Sequence, residues 1–338
     1  MKVLLIGGTG TISSAITRQL AAMGEEVYLL NRGNRKDEIP ENVTLLTANI
    51  DDENTVTALL GDLQFDAVCE FIGFIPAQLE RDYRLFGKRT KQFIYISSAS
   101  AYHKPVRDYA ITEGTTLANP YWEYSRNKIA CEEYLMELYR KYQFPITIIR
   151  PSHTYCERAV PVGAHGDNGC WQVLKRMLDG KPVIVHGDGT SLWTITYNED
   201  FAKAFIGLIG NPHAIGEAFH ITSDESVTWN QIYQIIADCL SVEFKPYHVA
   251  SEFLAACSHY DFTGGLIGDK ANTVVFDNTK LKRIVPGFTA TIRAEQGLRK
   301  AVEYMLSHEE VQIEDPEFDA WCDRVIETLE KAKKEILT

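Results

Sequence analysis

The stretch Val3-Leu4-Leu5-Ile6-Gly7-Gly8-Thr9-Gly10-Thr11-Ile12-Ser13 decides the architecture. Four consecutive apolar residues read as a short strand buried on both faces, and the glycines end it in a turn that a helix can leave directly. Ile16, Leu20 and Met23 follow at helical spacing and form the inner face of that helix. A strand, a glycine turn and a helix amino terminus together make an anion site. Glycine lets the backbone approach a pyrophosphate closely, and the free N–H groups and helix dipole face its charge.

Outward from this turn, apolar runs at 2–6, 26–31, 43–47, 66–71, 91–97 and 145–149 alternate with helix-period segments. The alternation predicts βαβ units, hence an α/β fold with a doubly wound parallel sheet and helices on both faces. The most legible helix is 121–142, where Ile129, Tyr134, Leu135, Leu138 and Tyr142 recur at helical steps before Pro145 stops it. After Arg150-Pro151, Pro161, Gly163, Gly166 and Gly169 mark a long loop, then a helix at 170–179, a strand at 183–186 and a Gly187-Asp188-Gly189 turn. A strand at 193–197 and an Asn198-capped helix to about 209 follow. The expected division is a nucleotide-binding domain at 1–167, to which 193–215 returns, and a smaller α+β substrate lobe at 168–310. A carboxyl-terminal amphipathic helix at 311–338 places Phe318, Trp321, Val325, Leu329 and Ile336 along one stripe.

The 338 residues carry 34 basic and 46 acidic side chains, a formal net charge of −12 that repels phosphate backbones on average and makes nucleic-acid binding a poor expectation. The single Lys before Val3 and the short apolar run do not make a signal peptide, and no run reaches the ~20 residues of a membrane span. Seven cysteines without a CxxC pair or zinc spacing read as reduced thiols in a cytoplasmic protein. No metal is expected. His165, His186 and His213 are read as scattered loop residues, and Asp51-Asp52-Glu53 as the acidic cap of a helix.

The second strand ends Leu29-Leu30-Asn31-Arg32-Gly33, where an acid would accept from a ribose 2'-hydroxyl. Asn31 and Arg32, with Arg35 and Lys36 nearby, favour a 2'-phosphate, so the expected cofactor is NAD(P) with NADP preferred. Tyr124 and Lys128 stand one turn apart on one helix face, where an ammonium lowers a phenol's pKa. The strand Phe93-Ile94-Tyr95-Ile96 runs out into Ser97-Ser98-Ala99-Ser100-Ala101-Tyr102, placing hydroxyls at the carboxyl end of the sheet, where ligands gather.

With these three signals in order, the chain resembles an extended or atypical short-chain dehydrogenase/reductase of the NAD-dependent epimerase/dehydratase family over about residues 1–290. The resemblance implies a Rossmann-type domain in which Tyr124 is the catalytic acid/base, Lys128 holds the nicotinamide ribose and Ser98 orients the reacting oxygen, with Ser100 a second candidate for that role. It assigns Gly7, Gly10, Thr11 and Ile12, with Thr9 of the same turn, to the pyrophosphate, and Asn49 and Ile50 to adenine. Phe71-Ile72-Gly73 and Ser97 lie along the dinucleotide, and Pro151 and His153 border nicotinamide and substrate. Trp122, Glu123, Tyr155 and Trp193 are candidates for the substrate pocket; the alternative places Trp122 in the core and Glu123 in solvent.

The departures from the family pattern are specific. Ser13 replaces the third glycine, which implies a slightly wider approach of helix to strand. Ala99 and Ser100 stand where the dehydratases carry Asp-Glu, which disfavours 4,6-dehydration. Trp193 stands where nucleotide-sugar epimerases carry a pyrophosphate-clamping arginine, leaving Arg150, Arg158 or Lys175 to supply charge. The expected activity is hydride transfer at a secondary alcohol or ketone of a sugar-like small molecule, by an oxidoreductase or epimerase. The rivals are RNA binding, as in the resembling chloroplast stem-loop RNA-binding branch, and a dinucleotide-binding redox sensor. Helices near 74–86 and 121–142 resemble the pair through which the family forms homodimers.

Overall fold

The computed structural model describes residues 1–34 and 39–337 and divides into two compact units. The first comprises 1–154, 196–224 and 276–291; the second comprises 155–195, 225–275 and 292–338. The division therefore falls at 154/155 rather than 167/168, and the chain re-enters the first unit at 196 and again at 276. Arg35 and Lys36, named above as cofactor neighbours, lie outside the described residues.

The first unit is a seven-stranded parallel sheet. Its strands are β1 (Lys2–Ile6), β2 (Glu26–Asn31), β3 (Thr44–Thr47), β4 (Ala67–Glu70), β5 (Phe93–Ile96), β6 (Ile146–Pro151) and β7 (Glu217–Ile221). They lie in the order β3-β2-β1-β4-β5-β6-β7, so the direction of winding reverses between β1 and β4. The helices that concern the site are α1 (Ser13–Ala22), α2 (Glu53–Leu60), α3 (Pro76–Phe86), α4 (Glu123–Tyr142) and α5 (Asn198–Leu208). Alternate residues of β1 enter opposite cores. Val3 and Leu5 join Ile16, Leu20, Phe201 and Phe205, whereas Leu4 and Ile6 join Leu79, Phe86, Leu135 and Leu138. Burial on both faces is why these strands read as unbroken apolar runs.

Three expectations change, and a fourth holds in part. β7 pairs with β6 from Glu217↔Thr147 to Ile221↔Pro151 and extends the sheet beyond residue 215, where the smaller lobe had been expected to take over. Met23 is 60% exposed, because α1 stops at Ala22 and Gly24 turns the chain at φ +77 before Met23 can continue the buried stripe. Asn198 is the first residue of α5 and not its cap; its amide donates instead to Thr11 O at 2.9 Å. Asp52 does cap α2, accepting from Thr55 N, whereas Asp51 pairs with Arg81.

In the second unit, Val183–His186 pairs in parallel with Pro246–Val249, and Leu192–Trp193 pairs antiparallel with Val227–Thr228. The strand expected at 193–197 is broken at Thr194, whose hydroxyl donates to Val274 O. The helix Pro316–Ile336 buries Phe318, Trp321 and Val325, but Ile336 is exposed, so the apolar stripe fades in its last turns. His186 is a fully buried strand residue rather than a loop residue.

Candidate active site

Gly7 leaves β1 at φ +83, and its N–H donates to Leu30 O on β2. A Cβ there would stand 2.7 Å from Ile72 Cγ2, and one on Gly8 2.4 Å from Leu29 Cδ2, so the turn closes only without side chains. Ser13 does more than occupy the place of a glycine. Its Oγ donates to Gly7 O at 2.6 Å and accepts from Gly10 N at 2.9 Å, while Thr17 Oγ1 donates to Gly8 O at 2.7 Å. The serine that replaces the third glycine thus braces the turn from within. Beyond the brace, Thr11 and Ile12 open α1 with N–H groups that the helix itself leaves unpaired.

The turn borders a cavity of about 600 Å³ at the carboxyl ends of the strands. Of the residues expected to hold a dinucleotide, Gly7, Thr9, Gly10, Asn31, Arg32, Asn49, Ile50 and Ile72 line it together. Asp51, Phe74, Gln78 and Arg81 line it as well and were missed. The signal for the last two was their three-residue spacing, which sets them on one face of the helix that follows Phe71-Ile72-Gly73. Gln78 Oε1 accepts from Phe74 N at 2.6 Å and closes that segment onto α3. Asn31 Oδ1 accepts from Gly33 N at 2.8 Å, so the amide oxygen shapes the loop while exposed Arg32 faces the cavity. A glycine cradle, unpaired helix N–H groups and a cavity of this size at the winding reversal fit a dinucleotide's pyrophosphate and adenosine.

The remaining candidates gather beside this cavity. Lys128 is almost fully buried on α4, and its Nζ donates to Gly73 O at 2.7 Å and to Ile96 O at 2.8 Å. Burial pushes its pKa down to about 8. The ammonium lies 5.7 Å from the ring of Tyr124, which is flanked by Trp122 at 4.9 Å and Phe74 at 6.4 Å. Trp122 is therefore neither core nor free surface. At the end of β5, Ser98 Oγ lies 2.9 Å from Ser100 Oγ, which accepts from Ser125 Oγ of α4 at 2.7 Å. Asn119 Nδ2 donates to Ser100 O, so the serine turn and the start of α4 are one hydrogen-bonded piece. Ser97 Oγ is buried there without a partner. Phe71 packs against Phe205, Pro151 ends β6 buried, and His153 is half-buried just beyond it.

Residues 3–222 match the model of the NAD-dependent epimerase/dehydratase family. The chain belongs to that family. It is 25% identical to the 2'-dehydrokanamycin reductase of Streptomyces kanamyceticus, over 85% of this chain and 80% of that protein. Epimerases and 4,6-dehydratases are also among its curated relatives. In fold it is similar to an epimerase of Methanothermobacter thermautotrophicus, with a TM-score of 0.75 and 17% identity over 92% of this chain and 93% of that one. It is likewise similar to the UDP-glucuronic acid 4-epimerase of Bacillus cereus in complex with NAD, with a TM-score of 0.72 and 18% identity over 93% and 100% of the two chains.

The departure at Trp193 takes a different form from that expected. Arg150 supplies no open charge, because Glu132 takes its guanidinium at 2.7 and 3.0 Å and Tyr102 OH lies 3.3 Å away. Lys175 is paired with Asp179, and Arg158 reaches Tyr304 OH. Trp193 and Tyr155 are both buried in the second unit, Trp193 against Trp229 with ring centroids 5.4 Å apart. Among the described residues, no group of three or more His, Cys, Asp or Glu could hold a metal, and no helix is long and apolar enough to cross a membrane.

Proposed function

We propose that this epimerase/dehydratase family member transfers hydride at a secondary alcohol or ketone of a sugar-like substrate, as a reductase or epimerase, with Tyr124, Lys128 and Ser98 as its working residues. The observation that carries the reading is Lys128, buried and held between Gly73 O and Ile96 O with its charge beside the Tyr124 ring. A cation so placed stabilises the phenolate, so Tyr124 can take a hydroxyl proton or return one to a carbonyl oxygen. Ser98, fixed through Ser100 to α4, orients that oxygen. When bound, the nicotinamide supplies the hydride acceptor and donor. Re-reduction of a ketone on its other face would give epimerisation.

Arg32 supports NADP over NAD. It is exposed at the cavity, whereas Arg81, the other arginine lining it among the described residues, is engaged by Asp51 and Asp82. Ala99 is buried beside Ser98 and brings no acid or base, which supports reduction or epimerisation over 4,6-dehydration. A two-fold homodimer through α3 and α4, as the resemblance implies, and a reducing cytoplasmic setting for the seven free cysteines complete the reading.

The test offers nucleotide sugars and keto-aminoglycosides to the wild type and to Tyr124→Phe. The variant should keep dinucleotide affinity while turnover falls by about 10²–10⁴-fold. Retained turnover removes Tyr124 from its role. Salt-steep RNA binding without dinucleotide binding overturns the whole reading.

A further inference from the structure

Glu70 ends β4 and Asp82 sits on α3, and both side chains are wholly buried. One oxygen of each has an ordinary partner. Glu70 Oε1 accepts from Ile72 N at 2.5 Å, and Asp82 Oδ1 accepts from Arg81 Nε at 2.9 Å. The second oxygens, Glu70 Oε2 and Asp82 Oδ2, are buried without a hydrogen-bond partner, and each carboxyl acts electrostatically on the other. Two neighbouring carboxyls buried with an oxygen each left without a donor cannot both stay ionised, so a proton must reside on the pair.

We infer that Glu70 and Asp82 share one proton and form a positioning pair that ties Phe71-Ile72-Gly73 to α3, holding Lys128 on one side and Arg81 at the cavity on the other. The connections are continuous. Lys128 Nζ donates to Gly73 O, a Cβ on Gly73 would stand 3.3 Å from Glu70 Cγ, and Glu70 accepts from Ile72 N. From Asp82 the chain passes to Arg81, whose NH1 donates to Asp51 Oδ1 at 2.5 Å on the cavity wall. The inference rests on the proposed function only in taking that cavity as the dinucleotide's.

Burial raises both carboxyls, Glu70 well above its ordinary range and Asp82 to about 6, with Arg81 opposing the rise at Asp82. The other charges acting on the pair are Lys128 from α4 and Asp51 beyond Arg81, with the Cys131 thiol of α4 beside it, whereas Cys69 points to the opposite face of β4. Loss of the proton would set two anions together in the interior and release the segment. Glutamine keeps the geometry without the proton: its carbonyl can accept from Ile72 N and its amide can donate to Asp82.

The experiment measures dissociation constants of both dinucleotides, with melting temperatures, for wild type, Glu70→Gln and Glu70→Ala at about pH 6 and pH 9. Glu70→Gln should match wild type at the lower pH, and its affinity should fall about threefold less on going to the higher one. Glu70→Ala should bind about tenfold more weakly at the lower pH, with Ile72 N–H and Asp82 left unsatisfied. Equal pH dependence in wild type and Glu70→Gln, or Glu70→Gln behaving as Glu70→Ala, overturns the pair. Should wild type bind neither dinucleotide, the functional reading fails by itself. The pair is then judged by melting: a smaller loss for Glu70→Gln than for wild type between the two pH values sustains it, and an equal loss overturns it.

Discussion

The Lys128 ammonium donates to the Gly73 carbonyl at 2.7 Å, joining the helix that carries Tyr124 to the segment that borders the cavity. Lys128→Met keeps the apolar stem and removes the charge that favours the phenolate. Turnover should fall by at least about a hundredfold, and the melting temperature should fall too, because Ile96 O loses this donor and Gly73 O keeps only the Tyr95 hydroxyl. Steady-state kinetics beside a melting curve checks this. Wild-type turnover in the variant would mean that the ammonium is structural only.

Ser13 offers a test of the glycine turn independent of chemistry. Ser13→Ala removes the bonds to Gly7 O and Gly10 N, and with both groups near the surface of the turn the loss should be about 1–2 kcal/mol of unfolding free energy. Denaturant titration reads it directly. An unchanged midpoint would show that the turn holds without its brace.

Cofactor preference should follow Arg32. Arg32→Ala removes the exposed guanidinium at the cavity and should weaken NADP binding by roughly tenfold to a hundredfold, the worth of charge-assisted bonds to a phosphate, while NAD binding stays nearly level. Parallel titrations with the two dinucleotides decide it. An equal effect on both would place the 2'-phosphate elsewhere.

Acid should loosen the second unit through its histidines. Burial pushes His165 and His186 down to about 4 from an ordinary value of 6.5. In each case the folded chain prefers the neutral ring, so the stability is fully present above 6.5 and is lost as pH falls from there through about 4. For fully buried His186 the effect is roughly 3 kcal/mol. A variant such as His186→Gln should show a shallower decline in melting temperature over that interval, and an identical slope would refute the assignment.

Much of the first unit was readable because its causes are local. Strands buried on both faces must be apolar, the turn after β1 must be glycine where a Cβ would strike Ile72 or Leu29, and Pro145 must end α4. Tyr124 and Lys128 lie on one helix face by spacing alone. Glu70 also left a trace, an acid inside the apolar run Ala67-Val68-Cys69-Glu70-Phe71-Ile72, though nothing nearby in the chain pointed to Asp82.

The rest required distant residues to meet. β7 is a strand of this sheet because Glu217–Ile221 finds β6, a pairing that pattern alone does not specify. Asn198 turned from a presumed cap into a tie because Thr11 O lies within its reach, and Arg150 became an interior ion pair because Glu132 faces it. The sequence by itself determined the layered sheet, the glycine cradle and the phenol–ammonium pair, since each follows from backbone sterics or helical period. Only the tertiary structure decided which polar groups are spent on one another and which face the cavity, because hydrogen bonds and burial depend on neighbours that the chain order does not list.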